Sequence, residues 1–293
     1  MPQIGGPQGS AFPLPGGEEA AIVRTLLNKV PEITIYFWII KIMATTIGET
    51  AADLLSETMH LGLVITSYIM SGILIVALVF QFRTRKYVPG FYWFAVALLA
   101  VVGTLISDFF ADQMHVPLQV NITAFSILLA ATFATWYGYE RTLSIHTIFT
   151  RRREAFYWAA ILFTFALGTS GGDFLSEKLN WGYLNSALIF AAGILVITIG
   201  YYRFKWNPVA SFWIAYILTR PLGGSIGDFL TQPHSAGGLG LGTIGTSAIF
   251  LSTIFGLVVY LTKSGVDQTS SVDAREMLNP TEDDKGLDVV GAP

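Results

Sequence analysis

One spacing pattern occurs four times along this chain and restricts its folding more than any other feature. Each copy begins with an aromatic residue followed by tryptophan: Phe37-Trp38, Tyr92-Trp93, Tyr157-Trp158 and Phe212-Trp213. Ten residues after each tryptophan stands a glycine: Gly48, Gly103, Gly168 and Gly223. Fifteen residues after it stands an aspartate: Asp53, Asp108, Asp173 and Asp228. Such self-similarity is typical of tandem structural repeats, so we expect four copies of one unit.

The composition indicates that lipid is the main solvent of these units. The chain is 53% hydrophobic and 13% charged, whereas a soluble domain has about a quarter of its residues charged. Apolar stretches approach the roughly 20 residues that a helix needs to cross a bilayer. We predict an all-α integral membrane protein with eight transmembrane helices, built as four parallel helix-pair repeats around a polar centre. The helices that carry the motif are predicted at 34–57, 90–113, 155–177 and 208–230, and the plainer ones at 61–82, 117–139, 183–203 and 241–262.

Two spans per unit make successive units enter the membrane from the same side. The repeats are therefore related by an axis along the membrane normal, as in parallel-repeat transporters. A closed ring and a pair of two-repeat halves both satisfy this relation. The predicted divisions are an arm at 1–32, repeats at 33–86, 87–150, 151–206 and 207–263, and a tail at 264–293.

The charges of the loops predict the orientation. Basic residues are concentrated in the joints between units, including the Arg151–Arg153 cluster, whereas the turns within units are acidic or neutral. The positive-inside rule then places both termini of this multi-pass membrane protein in the cytoplasm. The repeated tryptophans are expected to anchor at the cytoplasmic interface, and Lys41 to extend towards that surface. Fifteen residues at about 1.5 Å each place every repeated aspartate about 22 Å further on, in the outer half of the membrane.

The terminal segments are expected to carry no chemistry. Residues 1–30 lack a basic start followed by an apolar core, so we interpret them as a retained arm and not as a signal peptide. A short amphipathic helix is predicted at Ala20 to Val30. The polar, acidic tail is predicted to be disordered.

Carboxylates inside a membrane are costly and usually serve a pathway or a binding site. The four repeated aspartates predict a layer of acids. A second layer follows four residues later, with Glu57, Asp112 and Glu177 in three copies and Gln232 in the fourth. We expect this second layer to form a mouth at the outer surface.

The predicted ligand atoms are all oxygens, because the chain has no cysteine. Carboxylates and hydroxyls suit hard cations such as Mg²⁺, Mn²⁺ and Ca²⁺. The predicted metal-binding residues are Glu49, Asp53, Asp108, Asp173, Asp228, Thr46 and Thr50. The cation is expected as a substrate, with no tightly bound cofactor.

A second group of residues is predicted to relay protons or act as a gate. These residues are Glu57, Asp112, Glu177, Arg220, His60 and His115. Arg220 is followed by Pro221, Gly223 and Gly224, which predicts a break in that helix. His60 and His115 hold equivalent positions in the first two copies and would broaden the choice of metal towards Zn²⁺ or Ni²⁺, or titrate near neutral pH.

Structural explanations compete with these functional ones. The repeated glycines are best explained by close helix packing. The histidines are more often plain loop residues than ligands. The aspartates would also serve as caps of neighbouring helices or as partners of Arg220. Four aspartates with acidic companions at one spacing favour function for the layer as a whole.

The repeated unit resembles a known family. An aromatic–tryptophan start and the segment TTIGETAAD, from Thr45 to Asp53, are similar to bacterial and archaeal membrane proteins assigned a "repeat of unknown function". The resemblance extends over about residues 33–262. The later copies keep the glycine and aspartate but lose the threonine pair and Glu49. The resemblance implies a topology and a bacterial origin, and therefore a place in the bacterial inner membrane, but it implies no substrate.

A divalent-cation transporter, with Mn²⁺ favoured and proton coupling expected, is the function that these residues predict best. The alternatives are a cation or proton channel lined by a ring of acids, and a membrane scaffold or sensor. We expect no enzyme, because HExxH, GxSxG, phosphate-loop and CxxC motifs are absent. An intramembrane acid protease could work with carboxylates alone, but its usual motifs are missing as well. The expected partners are the cation and the lipid bilayer, and no nucleic acid is expected to bind. The sequence leaves open whether the chain forms a homo-oligomer.

Overall fold

The computed structural model describes residues 27–268. This part of the chain is all-helical, without a strand, and contains eight long helices. They are α1 Ile35–Asp53, α2 Leu63–Arg83, α3 Pro89–Asp108, α4 Leu118–Glu140, α5 Arg151–Asp173, α6 Tyr183–Phe204, α7 Pro208–Thr231 and α8 Thr243–Ser264. The odd-numbered helices carry the repeated motif and are called motif helices below. The even-numbered ones are called plain helices.

Local sequence determines where these helices begin. The side chains of Thr34, Thr150 and Asn207 each accept a hydrogen bond from the backbone N–H three residues later, which caps α1, α5 and α7. Pro89 and Pro208 occupy the first position of α3 and α7, where no backbone N–H is needed. The starts of the four motif helices therefore follow from their local sequence.

Six of the eight helices are long and apolar enough to cross a membrane: α2, α3, α4, α5, α6 and α8. The helices α1 and α7 do not meet this criterion. Lys41, Glu49 and Asp53 lie in α1, and Arg220 and Asp228 lie in α7. The prediction of a repeated all-helical membrane protein is confirmed, although two of its four motif helices are not identified as spans by length and composition alone.

The four motif helices form a closed ring, in which α1 packs against α3, α3 against α5, α5 against α7 and α7 against α1. Each plain helix packs on the outside, against the motif helix of the following copy: α2 on α3, α4 on α5, α6 on α7 and α8 on α1. The sequence is compatible with a ring and with two halves. The structure shows the ring, because the last copy closes on the first.

The repeated glycines hold the ring together, as the packing explanation predicts. A β-carbon on Gly48 would lie 2.6 Å from Cβ of Ala100, and one on Gly103 would lie 2.5 Å from Cβ of Phe165. A β-carbon on Gly168 would collide with the side chain of Arg220, and one on Gly223 would collide with that of Thr45. Each glycine thus contacts the residue seven places after the tryptophan of the next copy. Only a residue without a side chain allows two helices to approach this closely.

The repeated aromatic pairs form a girdle inside one end of the ring. Each leading aromatic ring contacts the tryptophan of the next copy: Phe37–Trp93 at 5.6 Å, Tyr92–Trp158 at 5.5 Å, Tyr157–Trp213 at 6.1 Å and Phe212–Trp38 at 5.8 Å between centroids. The prediction of interface anchors is wrong for Trp93, Trp158 and Trp213, which are buried within the protein. Their packing partners, which lie in other copies, could not be identified from spacing within one copy.

The joints between copies lie at the end of the ring that carries the aromatic girdle, and we call this the basic end. The opposite end, where the motif helices terminate near the acids, is called the acidic end. At the basic end Lys29 donates to Glu154 at 2.6 Å, and both side chains are buried. Tyr87 donates to Asp267 at 2.5 Å. Burial raises the pKa of both Tyr87 and Asp267, although the hydrogen bond from Tyr87 partly offsets the rise for Asp267.

Two further expectations about helices are corrected. The predicted break at Pro221 does not occur, because α7 runs as one α-helix from Pro208 to Thr231. The glycines Gly168 and Gly172 of α5 lie against the proline and leave room for it. The predicted amphipathic helix at Ala20 to Val30 falls mostly outside the described residues, and residues 27–30 are not helical. The predicted tail also lies outside them from residue 269 onwards.

Candidate functional site

The acids form two layers at the acidic end of the ring. In the inner layer Asp53, Asp108 and Asp173 are half-buried and Asp228 is buried. In the outer layer Glu57, Asp112 and Glu177 are exposed, whereas Gln232 is half-buried. Exposure of the acidic side chains therefore increases towards the end of the ring.

A widened helical turn follows three of the four aspartates directly. These π-helical turns span Leu54–Thr58, Phe109–Gln113 and Phe174–Lys178. Each begins at the residue after the aspartate, while α7 continues without one. Such turns are rare and frequently occur at functional sites. Neither the repeat spacing nor the hydrophobic spans of the sequence predict these three turns.

Arg220 lies at the centre of the ring and contacts one residue from each of the other three motif helices. Its Nη2 donates to Glu49 Oε2 at 2.7 Å, to Thr169 Oγ1 at 2.7 Å and to Thr104 Oγ1. Thr104 and Thr169 each donate their own hydrogen to the carbonyl four residues back, and this leaves oxygen lone pairs for the guanidinium. Arg220 is fully buried.

One repeat position provides all three acceptors. Glu49, Thr104 and Thr169 each stand eleven residues after the tryptophan of their copy, and the fourth copy has Gly224 there. A β-carbon on Gly224 would lie 2.6 Å from Nη1 of Arg220. The glycine therefore makes space for the guanidinium. Thr104 and Thr169 were not among the predicted site residues, although the repeat spacing that identified the aspartates would have identified them too.

Three carboxylates beside Arg220 come close enough to share one ion. Oxygen atoms of Glu49, Asp173 and Asp228 all lie within 4.8 Å of one another, and we call these residues the carboxylate trio. All three were predicted as metal-binding residues. They come from the first, third and fourth copies, so the site exists only because the ring closes.

The other predicted ligands do not belong to the trio. Asp53 and Asp108 are half-buried in the same layer. The hydroxyl of Thr46 donates to the carbonyl of Ile42 at 3.2 Å, and that of Thr50 accepts from Ser247 of α8 at 2.8 Å. Both threonine hydroxyls thus have a hydrogen-bond partner in helix packing, and each keeps an oxygen lone pair, so both stay predicted ligands.

The histidines His60 and His115 have a structural explanation. Both are exposed and adopt a left-handed backbone conformation, with φ of 55° and 53°. Asn180 holds the equivalent position in the third copy, with φ of 53°. Asparagine and histidine are among the few residues enriched in this conformation. The turn geometry accounts for the repeated histidine, and neither residue lies in the trio.

Lys41 is the second cation inside the ring, and the prediction that it extends to the surface is wrong. Its side chain is fully buried, and Nζ lies 4.2 Å from the ring centroid of Phe165 and 4.1 Å from that of Tyr216. The ammonium group has no hydrogen-bond partner among the described residues. The two rings replace hydration by cation–π contact.

Fold and site together define an all-α membrane protein in which tandem helix pairs form a ring around buried charges. The chain matches the family described as Repeat of Unknown Function (DUF347) four times, at residues 36–87, 91–142, 156–206 and 211–266. These matches cover well over half of the chain, which therefore belongs to this family. No curated protein and no solved structure matches it significantly.

Proposed function

We propose that this protein transports a divalent metal cation and couples the movement to protons. The observation that carries the proposal is the carboxylate trio, which lies beside the exposed outer layer of acids and contacts Arg220 through Glu49. A dense group of buried carboxylates needs protons or cations to compensate its charge. In a proton-coupled transporter, a cation and protons replace one another at such a group of carboxylates.

The charge of the site suits a divalent ion. Glu49, Asp173 and Asp228 contribute three negative charges when ionised, and Arg220 compensates one of them. The remaining formal charge equals that of one divalent cation in magnitude. Protonation of two carboxylates would compensate the site equally well, and this equivalence supports an exchange of one cation for protons.

The ligand chemistry favours a hard cation. The trio offers carboxylate oxygens, and the neighbouring hydroxyls of Thr104 and Thr169 are held by Arg220. Oxygen sites of this kind suit Mg²⁺, Ca²⁺ and Mn²⁺. Because the histidines lie outside the trio, the case for Zn²⁺ or Ni²⁺ is weaker. Mn²⁺ is the cation that we favour.

The closed basic end favours a carrier over a channel. Phe37, Tyr92, Tyr157 and Phe212 are all buried in the aromatic girdle, and the hydroxyls of Tyr92 and Tyr157 are 2.5 Å apart. The basic side chains of Arg220 and Lys41 lie between the girdle and the acids. A channel needs a continuous polar path, whereas a carrier is closed at one end in each of its states. The basic loops favour a cytoplasmic position for this closed end.

The experiment is uptake of a panel of divalent cations into proteoliposomes that hold the purified protein, with a proton-sensitive dye inside. We expect saturable uptake with opposite proton movement, and loss of uptake in Asp173→Asn and Asp228→Asn. Lys178→Gln, an exposed residue of the same end that belongs to neither acid layer, is the control and should retain uptake. Uptake that is unchanged by both trio variants would overturn the proposed site, and rapid non-saturable flux without proton movement would favour the channel.

A further inference from the structure

A cavity of about 680 Å³ lies at the basic end, between α1, α6 and α7. Trp38 and Ile42 line it on α1, Thr198 and Tyr201 on α6, and Ala215 and Thr219 on α7. One water molecule needs about 10–15 Å³ of such space. The cavity is therefore large enough for a hydrated ion.

Only a thin partition separates this cavity from the centre of the ring. The hydroxyl of Thr45 donates to the carbonyl of Ile42 at 2.6 Å and lies 3.2 Å from that of Thr219. Both carbonyls belong to residues that line the cavity. Thr219 directly precedes Arg220, which contacts the carboxylate trio. One hydrogen-bonded layer thus lies between the cavity and the site.

The partition occurs at only one of the four seams between motif helices. The position of Thr45 is taken by Ala100, Phe165 and Arg220 in the other copies. Thr45 therefore supplies the one hydroxyl at this position, at the seam where α7 of the last copy meets α1 of the first. A hydrogen bond across a seam can break and form again without loss of apolar packing.

The helix α7 can bend where it borders the cavity. Pro221 has no backbone N–H, so the carbonyl of Ile217 lacks its usual helical partner. Gly223 and Gly224 follow, and glycine gives the backbone additional freedom. Prolines of this kind are common causes of helix bending. The flexible stretch coincides with the partition.

We propose that this cavity is the inner half of the translocation route, so that the cation passes between α1 and α7 and not along the axis of the ring. The inference rests on the proposed transport function. The axis is filled by Arg220, Lys41 and the aromatic girdle, whereas the seam is held by the Thr45–Thr219 hydrogen bond and by the close contact of Gly223 with Thr45. Bending of α7 at Pro221 opens the seam and connects the trio with the cavity.

The absence of cysteine from the chain makes a direct test practical. Single cysteines are placed in the cavity wall by Ala215→Cys and, on the opposite wall, by Thr198→Cys. Val96→Cys, in a fully buried residue of α3 outside the cavity, is the control. A charged, membrane-impermeant thiosulfonate reagent is applied to inverted membrane vesicles, and both labelling and cation uptake are measured. Uptake is measured first without reagent.

We expect labelling of both cavity cysteines with loss of most of the uptake, and no effect on Val96→Cys. Labelling without loss of uptake, or labelling only by a lipophilic maleimide, would identify a lipid groove and overturn the route. Labelling of Val96→Cys alone would favour the axis. If the vesicles take up no cation before the reagent is added, the proposed transport is refuted. If they take up the cation and the reagent does not change this uptake, only the proposed route is refuted.

Discussion

Arg220 shows how a single substitution within a repeat can create a site. The first three copies place Thr45, Ala100 and Phe165 at its position, and none of these carries a charge. In the fourth copy the guanidinium occupies the centre of the ring and donates to acceptors from all the other motif helices. Gly224 is the companion change that gives it space.

Replacing Arg220 should reveal how much the ion pair between Arg220 and Glu49 contributes to the stability of the protein. Arg220→Gln leaves the Glu49 carboxylate buried without its partner, and breaking such a pair costs about 3–5 kcal/mol. The double variant Arg220→Gln/Glu49→Gln removes both charges and should recover most of this loss. The measurement is the free energy of unfolding in detergent for both single variants and the double variant. Additive losses would contradict a direct ion pair.

The repeated glycines allow a second test at the scale of one residue. Gly168→Ala would place a β-carbon 2.5 Å from Cγ of Arg220 and should destabilise the protein by about 1–3 kcal/mol through overpacking. Gly171→Ala, one turn further along the same helix, meets nothing within 4 Å. It should be neutral or slightly stabilising, because alanine has the higher helix propensity. Equal thermal stabilities of the two variants would refute the close approach of α5 and α7.

At the scale of helices, the hydrophobic spans and the repeat spacing predict most of what is observed. All eight helices lie where the spans were expected, within a few residues. The misjudged features depend on contacts between copies. Lys41 is enclosed by Phe165 and Tyr216 of other helices, and the residues around Pro221 are accommodated by α5. Spacing within one copy contains no information about such partners.

The segment after α8 gives a pH-dependent prediction. Burial raises the pKa of Asp267 above its ordinary value of about 3.9. A raised pKa means that the folded protein binds this proton more tightly than the unfolded chain. Its contribution to stability is therefore greatest below the ordinary pKa and declines as pH rises towards the raised value.

Asp267→Asn keeps an acceptor for the Tyr87 hydroxyl but cannot ionise. We expect the variant to match the wild type at about pH 4 and to be more stable near pH 7. Thermal unfolding in detergent across this range measures the difference, with the exposed Glu57→Gln as the control. If the unfolding temperatures of Asp267→Asn and the wild type change in parallel with pH, the buried carboxyl does not contribute to the pH dependence of stability.

At the scale of the whole molecule, closure of the ring brings the site together. The sequence predicts a layer of four aspartates, and the structure selects Asp173 and Asp228 together with Glu49. This selection could not be predicted, because it depends on which side chains Arg220 attracts and on how the copies are arranged around the axis. The proposed carrier has an asymmetric site within a nearly fourfold scaffold, whereas a uniform pore would have four equivalent sites.

The most direct test of the central claim is binding of Mn²⁺ to the purified protein, followed by electron paramagnetic resonance as free Mn²⁺ disappears. The trio predicts one saturable site in the wild type and an affinity at least about tenfold lower in Asp173→Asn and in Asp228→Asn. His60→Asn, which places in the first copy the residue found at the equivalent position of the third, should bind as the wild type does. Unchanged binding in both aspartate variants, or no saturable binding in the wild type, would contradict the account.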